Sequence, residues 1–366
     1  MKTQRERLLE PLQSVIGIVE RRHTLPILSN VLIQSSGSEL ALTATDLEVQ
    51  IRTKTQIEES GAAQSVTLSA RKLYDILRSL PGESSVALES KENRLIVKAG
   101  KSRFSLQTLA GQDFPTVAVS GDQGVELKLA QKNLKALLER VQYAMAQQDV
   151  RYYLNGTLLS VSGNQLTLVA TDGHRLSYTT EQLAEVYDKA EVILPRKSVS
   201  ELIKLLAPTD EPVTVTLRAN QAEFVFGSIE LLSKVIDGKF PDYTRVIPTN
   251  YNKHLTLSRL DLLQALQRAA ILSNDKIHGV RLLLSKNNLA VVCTNNEQEE
   301  AQEDLDVQYN QEAIDIGFNI TYLMDVMNHL TSETVVSSFG DANSSVLITV
   351  PGAEDSFKYV VMPMRI

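Results

Sequence analysis

The chain has no tryptophan, a single cysteine, and aromatic side chains at only 5% of its 366 residues. One cysteine, Cys293, excludes an internal disulfide and a zinc site built from several thiolates. Its expected place is that of a small buried side chain. Long apolar runs are missing too, so no stretch predicts a membrane-spanning helix. The opening Met1-Lys2-Thr3-Gln4-Arg5-Glu6-Arg7 is charged where a secretory signal carries its apolar core, which predicts a cytoplasmic protein. Histidine is scarce: His23, His174, His254, His278 and His329 are the five, with no pair at metal-ligand spacing. No glycine-rich phosphate loop with its lysine occurs, so the chain is not expected to use ATP. No metal, cofactor or catalytic residue is predicted.

What is present is ordinary in kind and unusual in arrangement. A hydrophobic content of 43% with 22% charge suits a globular protein, and 366 residues exceed one typical core. The net charge of −7 argues on its face against nucleic acid. Its distribution says more. Residues 1–124 carry 15 basic and 14 acidic side chains, residues 125–252 carry 14 and 15, and residues 253–366 carry 8 and 15. All the net acidity sits in the last third.

Four landmarks recur in the same order. An amphipathic helix leads each copy, at Leu8–Leu12, Leu134–Leu138 and Leu262–Leu266. A strand ends at Ala44-Thr45-Asp46, Ala170-Thr171-Asp172 and Cys293-Thr294-Asn295. Another strand feeds a second helix after Val66–Ser69, Val192–Pro195 and Ile316–Asn319. An apolar-proline step closes each copy at Phe114-Pro115, Phe240-Pro241 and Met362-Pro363. The prolines stand 126 and 122 residues apart, a period that matches a whole domain rather than a solenoid unit. The second helix shows a 3.6-residue period at Leu73, Ile76, Leu77 and Leu80, and again at Leu202, Leu205 and Leu206. β-branched or alternating runs such as Leu166–Val169 and Val213–Leu217 predict strands, and Gly82-Glu83, Gly163-Asn164 and Lys286-Asn287-Asn288 predict turns. The expectation is α+β: three tandem domains, 1–124, 125–252 and 253–366, each with two helices backed by antiparallel sheets of about eight strands.

The six helical windows, 5–22, 70–80, 128–142, 196–206, 258–273 and 321–332, together carry +8, leaving −15 outside them. A basic helical surface on an acidic protein is the footprint expected of a phosphate-facing concavity. A solvated helix face is the plainer alternative.

Several segments together resemble the beta subunit family of bacterial DNA polymerase III, the sliding clamps. They are Asp149-Val150-Arg151-Tyr152-Tyr153-Leu154-Asn155-Gly156, Ala170-Thr171-Asp172-Gly173-His174-Arg175-Leu176, Gly238-Lys239-Phe240-Pro241-Asp242-Tyr243 and Val360-Val361-Met362-Pro363-Met364-Arg365. The resemblance runs end to end. It implies a head-to-tail homodimeric ring of six domains around duplex DNA, which tethers the polymerase for processivity and is opened by an ATP-driven clamp loader. It implies no catalysis and no sequence-specific reading of bases.

The resemblance also places residues. DNA would meet Arg22 and Gln148, with Arg71, Lys197, Tyr152 and Tyr153 as weaker contacts; His23 stands beside Arg22, where relatives often carry another residue. Polymerases and the loader would insert short peptides with apolar ends into a pocket. Its wall is Leu154, Thr171, Gly173, His174, Arg175, Leu176, Pro241, Arg245 and Val246, completed by Asn319, Tyr322, Ser345, Val360, Met362 and Met364. Methionines adapt to varied ligands, and Arg175 and Arg245 would offer hydrogen bonds at the rim. Asn343 lies in the neighbouring loop.

A head-to-tail ring needs two different complementary surfaces on one chain. Lys101-Ser102-Arg103-Phe104-Ser105-Leu106 alternates basic and apolar residues in the first third, while Glu297–Glu303 is acidic in the last. The family pattern sets Lys72, Arg94, Lys101 and Arg103 against Glu297, Glu299, Glu300 and Glu303, with Phe104 and Leu106 on Ile271, Leu272 and Ile277. Rim charge pairs add little net stability, so apolar contact is expected to dominate and charge to orient.

Three other readings stand beside this one. Asp172-Gly173-His174-Arg175 imitates an acid/base pair, but the other repeats put Glu48 and Gln298 near that position and no partner group is spaced to help. A DNA-modifying enzyme would need clustered carboxylates for metal ions, and Glu297–Asp306 has the composition but reads as a strand edge. A protein-only repeat scaffold is the remaining alternative.

Overall fold

The structure, a computed structural model, describes residues 1–20, 25–58, 63–274 and 276–366. In the first repeat β1 (Lys2–Gln4) precedes α1 (Glu6–Val15), then β2 (Asn30–Ser36), β3 (Glu39–Thr45), β4 (Val49–Gln56) and β5 (Gln64–Ser69). After α2 (Ala70–Ser79) come β6 (Ser85–Lys91), β7 (Arg94–Ala99) and β8 (Ser102–Ala110). The second repeat holds β9 (Val125–Ala130), α3 (Gln131–Val141), β10 (Gly156–Thr171), β11 (Arg175–Pro195), α4 (Arg196–Leu205), β12 (Pro212–Leu217), β13 (Gln221–Phe226) and β14 (Ile229–Lys234). The third holds β15 (Lys253–Ser258), α5 (Arg259–Ala269), β16 (Gly279–Ser285), β17 (Asn288–Thr294), β18 (Glu300–Asp306) and β19 (Ile314–Asn319). It ends with α6 (Ile320–His329), β20 (Thr334–Phe339), β21 (Val346–Thr349) and β22 (Phe357–Val361).

Among the described residues two α-helices per repeat are found, as expected, and all strand pairings are antiparallel. Among the described residues the first and third repeats have eight strands, but the second has six. The physical reason lies in β10 and β11, which are 16 and 21 residues long and pair along almost their whole length. Each does the work of two strands elsewhere. The register shifts on both sides of Gly163, whose φ of +59° only glycine adopts without strain.

The chain separates into two compact units, which do not follow the repeats: Met1–Lys135 with Lys197–Val235, and Ala136–Arg196 with Ile236–Ile366. The first unit contains one twelve-stranded sheet in the order β1-β6-β7-β8-β5-β2-β3-β4-β14-β13-β12-β9. Its continuity across the repeat boundary rests on β4 pairing β14, from Val49↔Ser233 to Thr53↔Ile229. The second unit contains a six-stranded sheet, β10-β11-β22-β21-β20-β15, and a four-stranded one, β18-β17-β16-β19. There β11 pairs β22 from Arg175↔Val361 to Thr179↔Phe357.

Periodicity decides which helix face is buried. Leu8, Leu9, Leu12 and Val15 of α1 and Leu73 and Leu77 of α2 are sealed, as are Leu202 of α4 and Leu206 just beyond it. Ile76 and Leu205 are only half-buried. Burying such side chains contributes on the order of 1.5–3 kcal/mol each. Cys293 is inside β17, and burial pushes its thiol up to about 11, which leaves it an inert core residue.

Candidate functional site

The predicted peptide pocket falls wholly in the second unit. β11 and β22 share a register that sets Leu176 against Val360, and both of these predicted pocket residues join a buried cluster with Leu158, Val169, Ile193 and Phe240. Tyr153, Tyr178, Ile236, Tyr243, Ile247 and Leu347 pack against that cluster while keeping some surface. Of these only Tyr153 was singled out from the sequence, and for another role. The others are aromatic or aliphatic side chains spread over segments far apart in sequence, which no spacing rule links.

Leu154 is buried. The Thr171–Arg175 turn is locked from within. Thr171 Oγ1 donates to the Arg175 carbonyl at 2.6 Å and accepts from the Gly173 amide at 3.1 Å. Asp172 Oδ1 accepts from the amides of His174 and Arg175 at 2.9 and 3.0 Å. Gly173 sits at φ +91° with the Arg151 guanidinium 3.1 Å from where a Cβ would be. His174 itself is exposed, and its carbonyl accepts the Met362 amide at 2.8 Å.

Met362 is 46% exposed and Val246 44%, so neither is a core residue; Met364 is half-buried, its amide bonded to the Gly317 carbonyl. Asn319 caps α6 by accepting from the Thr321 amide at 2.9 Å. The Ser345 carbonyl takes the Tyr251 hydroxyl at 2.7 Å, and Pro241 and Asn343 are exposed.

The two pocket arginines differ, which corrects the expectation that both offer rim hydrogen bonds. Arg245 is 85% exposed and, among the described residues, paired only with Asp242 at 2.8 Å. Arg175 is 10% exposed and spent: Nε donates to Asp172 at 3.1 Å, Nη1 to Asp325 at 2.5 Å and Nη2 to the Tyr143 carbonyl at 2.5 Å. Its guanidinium also lies 4.3 Å from the Tyr322 ring centroid, a cation–π contact. Around it Tyr143 stacks on His329 at 4.4 Å, and the buried Tyr359 hydroxyl donates to the Tyr322 carbonyl. Burial pushes both the Tyr143 and Tyr359 phenols up, so they stay neutral. Arg175 is therefore a tie between β11, α6 and the segment after α3.

The predicted DNA contacts divide in the same way. Arg22 and His23 lie outside the described residues. Gln148 is exposed at φ +55°, beside Val150 at 94% and Tyr152 at 58% exposure; Tyr153 is half-buried. The loop is pinned by Arg151, whose Nε and Nη2 reach Asp149 at 3.0 and 2.9 Å. Those bonds hold the Asp149 carboxyl down at about 2. Arg71 is exposed, with a long 3.4 Å bond to the Val19 carbonyl. Lys197 is not an open cation. It bonds Asp46 at 2.5 Å and Glu20 at 3.1 Å; burial pulls its pKa down, but these two carboxylates outweigh it and the net shift is upward.

For the predicted assembly edges, β8 in the first unit pairs β7 over Ser102–Gln107, and only Thr108–Ala110 reach β5. Lys72, Lys101 and Arg103 are exposed, Phe104 and Leu106 half-buried, and Arg94 bonds Ser105 at 3.3 Å. A groove of about 710 Å³ runs beside them, lined among others by Lys72, Arg94, Leu106 and Leu109. In the second unit β18 has a partner, β17, on one side only among the described residues. Ile271 is 78% and Ile277 49% exposed, with Leu272 half-buried and Glu297, Glu299 and Glu300 exposed beside them. Glu303 is already engaged by Arg268 at 2.5 Å.

No cluster of three or more metal-ligating side chains occurs among the described residues, and no helix there is long and apolar enough to cross a membrane. A thrice-repeated α+β module with antiparallel sheets joined edge to edge across repeats is the architecture of a DNA-clamp protein. Models of the N-terminal, central and C-terminal domains of the DNA polymerase III beta subunit match residues 1–118, 128–242 and 244–365, and the chain belongs to that family. It is 47% identical over 364 residues to the beta sliding clamp of Pseudomonas putida and 44% over 363 to that of Escherichia coli, covering 99% of each pair. A crystal structure of the Pseudomonas aeruginosa sliding clamp bound to griselimycin superposes with a TM-score of 0.96 at 46% identity, covering 100% of this chain and 99% of that one. The family is one of processivity clamps, which are not catalysts, and the chain shares that role.

Proposed function

We propose that two copies of this chain close head to tail into a ring around duplex DNA, so that a polymerase bound to the ring stays on its template. The observation that carries this is an imbalance of strand edges. The strand after the Thr45 landmark, β4, pairs the strand before Pro241, β14; the strand after Thr171, β11, pairs the strand before Pro363, β22. Two equivalent strands are left over: β18, after Thr294, and β8, before Pro115. The same joint made once more needs a second chain, and made twice it closes a ring. The leftover edges are acidic and basic, and each is flanked by exposed or half-buried apolar residues, as complementary partners should be.

Three domains, 1–124, 125–252 and 253–366, supply the six parts. DNA passes without sequence reading, touched by Arg22, Gln148, Arg71 and the tyrosines at 152 and 153, with Lys197 now the weakest candidate. Polymerases, the clamp loader and other proteins dock short peptides with apolar ends over Leu176, Val360, Val246 and Met362, in the cytoplasm. The expected native mass is about 81 kDa, twice 40.5 kDa. The protein loaded on nicked circular DNA should co-elute with it and be lost on linearisation. Retention on linear DNA, or a monomer at micromolar concentration, would overturn the ring.

A further inference from the structure

In the second unit a notch of about 180 Å³ is lined by Arg140, Leu330, Thr331, Ser332, Val350, Ala353, Ser356 and Phe357. That is several times the room a single water needs. Two of these residues hold unused polarity. Ser332 Oγ is buried and has no hydrogen-bond partner among the described residues, which costs about 1–3 kcal/mol unless something supplies one. Arg140 is the only charged lining residue, and its guanidinium has neither a carboxylate nor a hydrogen-bond partner among the described residues. Elsewhere in this unit arginines are engaged: Arg151 by Asp149, Arg175 by Asp172 and Asp325, Arg268 by Glu303, Arg281 by Asp315.

The walls are fixed rather than loose. The Ser177 hydroxyl donates to the Arg140 carbonyl at 2.6 Å and anchors the last turn of α3. Arg259 donates to the Ser332 carbonyl at 2.8 Å and to that of Met327 at 2.7 Å, holding the segment after α6. Ser356 and Phe357 both bond the Ala353 carbonyl and close the β21–β22 loop. An unpaired cation, an orphaned hydroxyl and a further hydroxyl on Thr331, with no acidic lining residue, form a donor set for an oxyanion.

We propose that this notch binds a phosphate group, either a phosphodiester of the DNA backbone or a free phosphate. Arg140 supplies the charge, and Ser332 Oγ donates the hydrogen bond it now lacks. Only the DNA source rests on the ring reading. The test is a titration of the full chain with inorganic phosphate at constant ionic strength, followed by amide shifts of Thr331, Ser332 and Ser356. Millimolar saturation is expected, weakened at least tenfold in Arg140→Gln and two- to fivefold in Ser332→Ala. Equal responses in the wild type and Arg140→Gln, or shifts elsewhere only, would overturn the site. In the second arm, the salt dependence of duplex binding should fall by about one unit of log–log slope in Arg140→Gln. An unchanged slope with phosphate binding intact assigns the notch to free phosphate. If no duplex binds at all, the ring reading fails while the phosphate titration still decides the notch.

Discussion

The two seams inside the chain and the two edges left outside it are made from equivalent strands, yet they are finished differently. Where β4 meets β14, Arg52 and Lys54 face Glu230 at 3.9 and 3.6 Å, so the base comes from the strand after the threonine landmark. Where β11 meets β22, Lys358 lies 5.7 Å from the Tyr178 ring, and no acid–base pair joins the two strands among the described residues. On the unjoined edges the sign is reversed: β18, equivalent to β4, is acidic, and β8, equivalent to β14, is basic. One backbone joint with three charge codes teaches that the ladder supplies the attachment and the side chains supply the address. A β8 edge presented to β4 would meet like charge, so the reversal discourages pairing at the wrong joint.

The comparison can be broken most severely at the β11–β22 seam. Arg175 starts that seam, and Arg175→Ala would strand Asp325 and the Tyr143 carbonyl. A loss of about 3–5 kcal/mol is expected in the second unit. Hydrogen exchange should show β11 and β22 opening early while β4 and β14 keep their protection. Next comes the outer edge. Ile271→Asp places a charge on a residue already exposed in the chain, so folding should be unchanged while the dimer dissociation constant rises about 100-fold. Native mass at micromolar concentration would report it.

Smaller effects sharpen the picture. A Cβ on Gly17 would lie against the buried Glu201 carboxylate in the first unit, so Gly17→Ala should cost about 1–3 kcal/mol there and leave assembly alone. Lys101→Glu with Arg103→Glu should weaken the dimer only two- to fivefold, and less at high salt, if charge orients rather than holds. A hundredfold loss would make the outer edge an electrostatic joint. The smallest effect is a titration. Asp149, depressed to about 2 from 3.8, contributes its share of loop stability above pH 3.8 and loses it as pH falls through about 2. Arg151→Gln should return its carboxyl toward 3.8 by NMR.

Much of this was legible in the sequence because repetition amplifies weak signals. Three weak helix patterns at a constant spacing predicted α1 to α6 to within a few residues, save at the end of α1. The threonine and proline landmarks marked the strands that form the seams. What could not be read was long-range pairing. Nothing local in Arg175 distinguishes a rim donor from a guanidinium spent on Asp325, 150 residues away. Lys197 looked like an open cation until Asp46 and Glu20 were brought to it. The merging of four strands into β10 and β11 was hidden by Gly163-Asn164, which reads as a turn whether or not the ladder continues through it.

The seams also obey a counting rule. A chain of n repeats joined edge to edge makes n − 1 joints and always retains one strand of each kind, however long it grows. Duplicating a repeat therefore never removes stickiness; it only moves it further along. Such a molecule has two fates, an open filament or a closed circuit, and the turn made at each joint chooses between them. Small changes of angle at β4–β14 or β11–β22 would thus alter how many copies close.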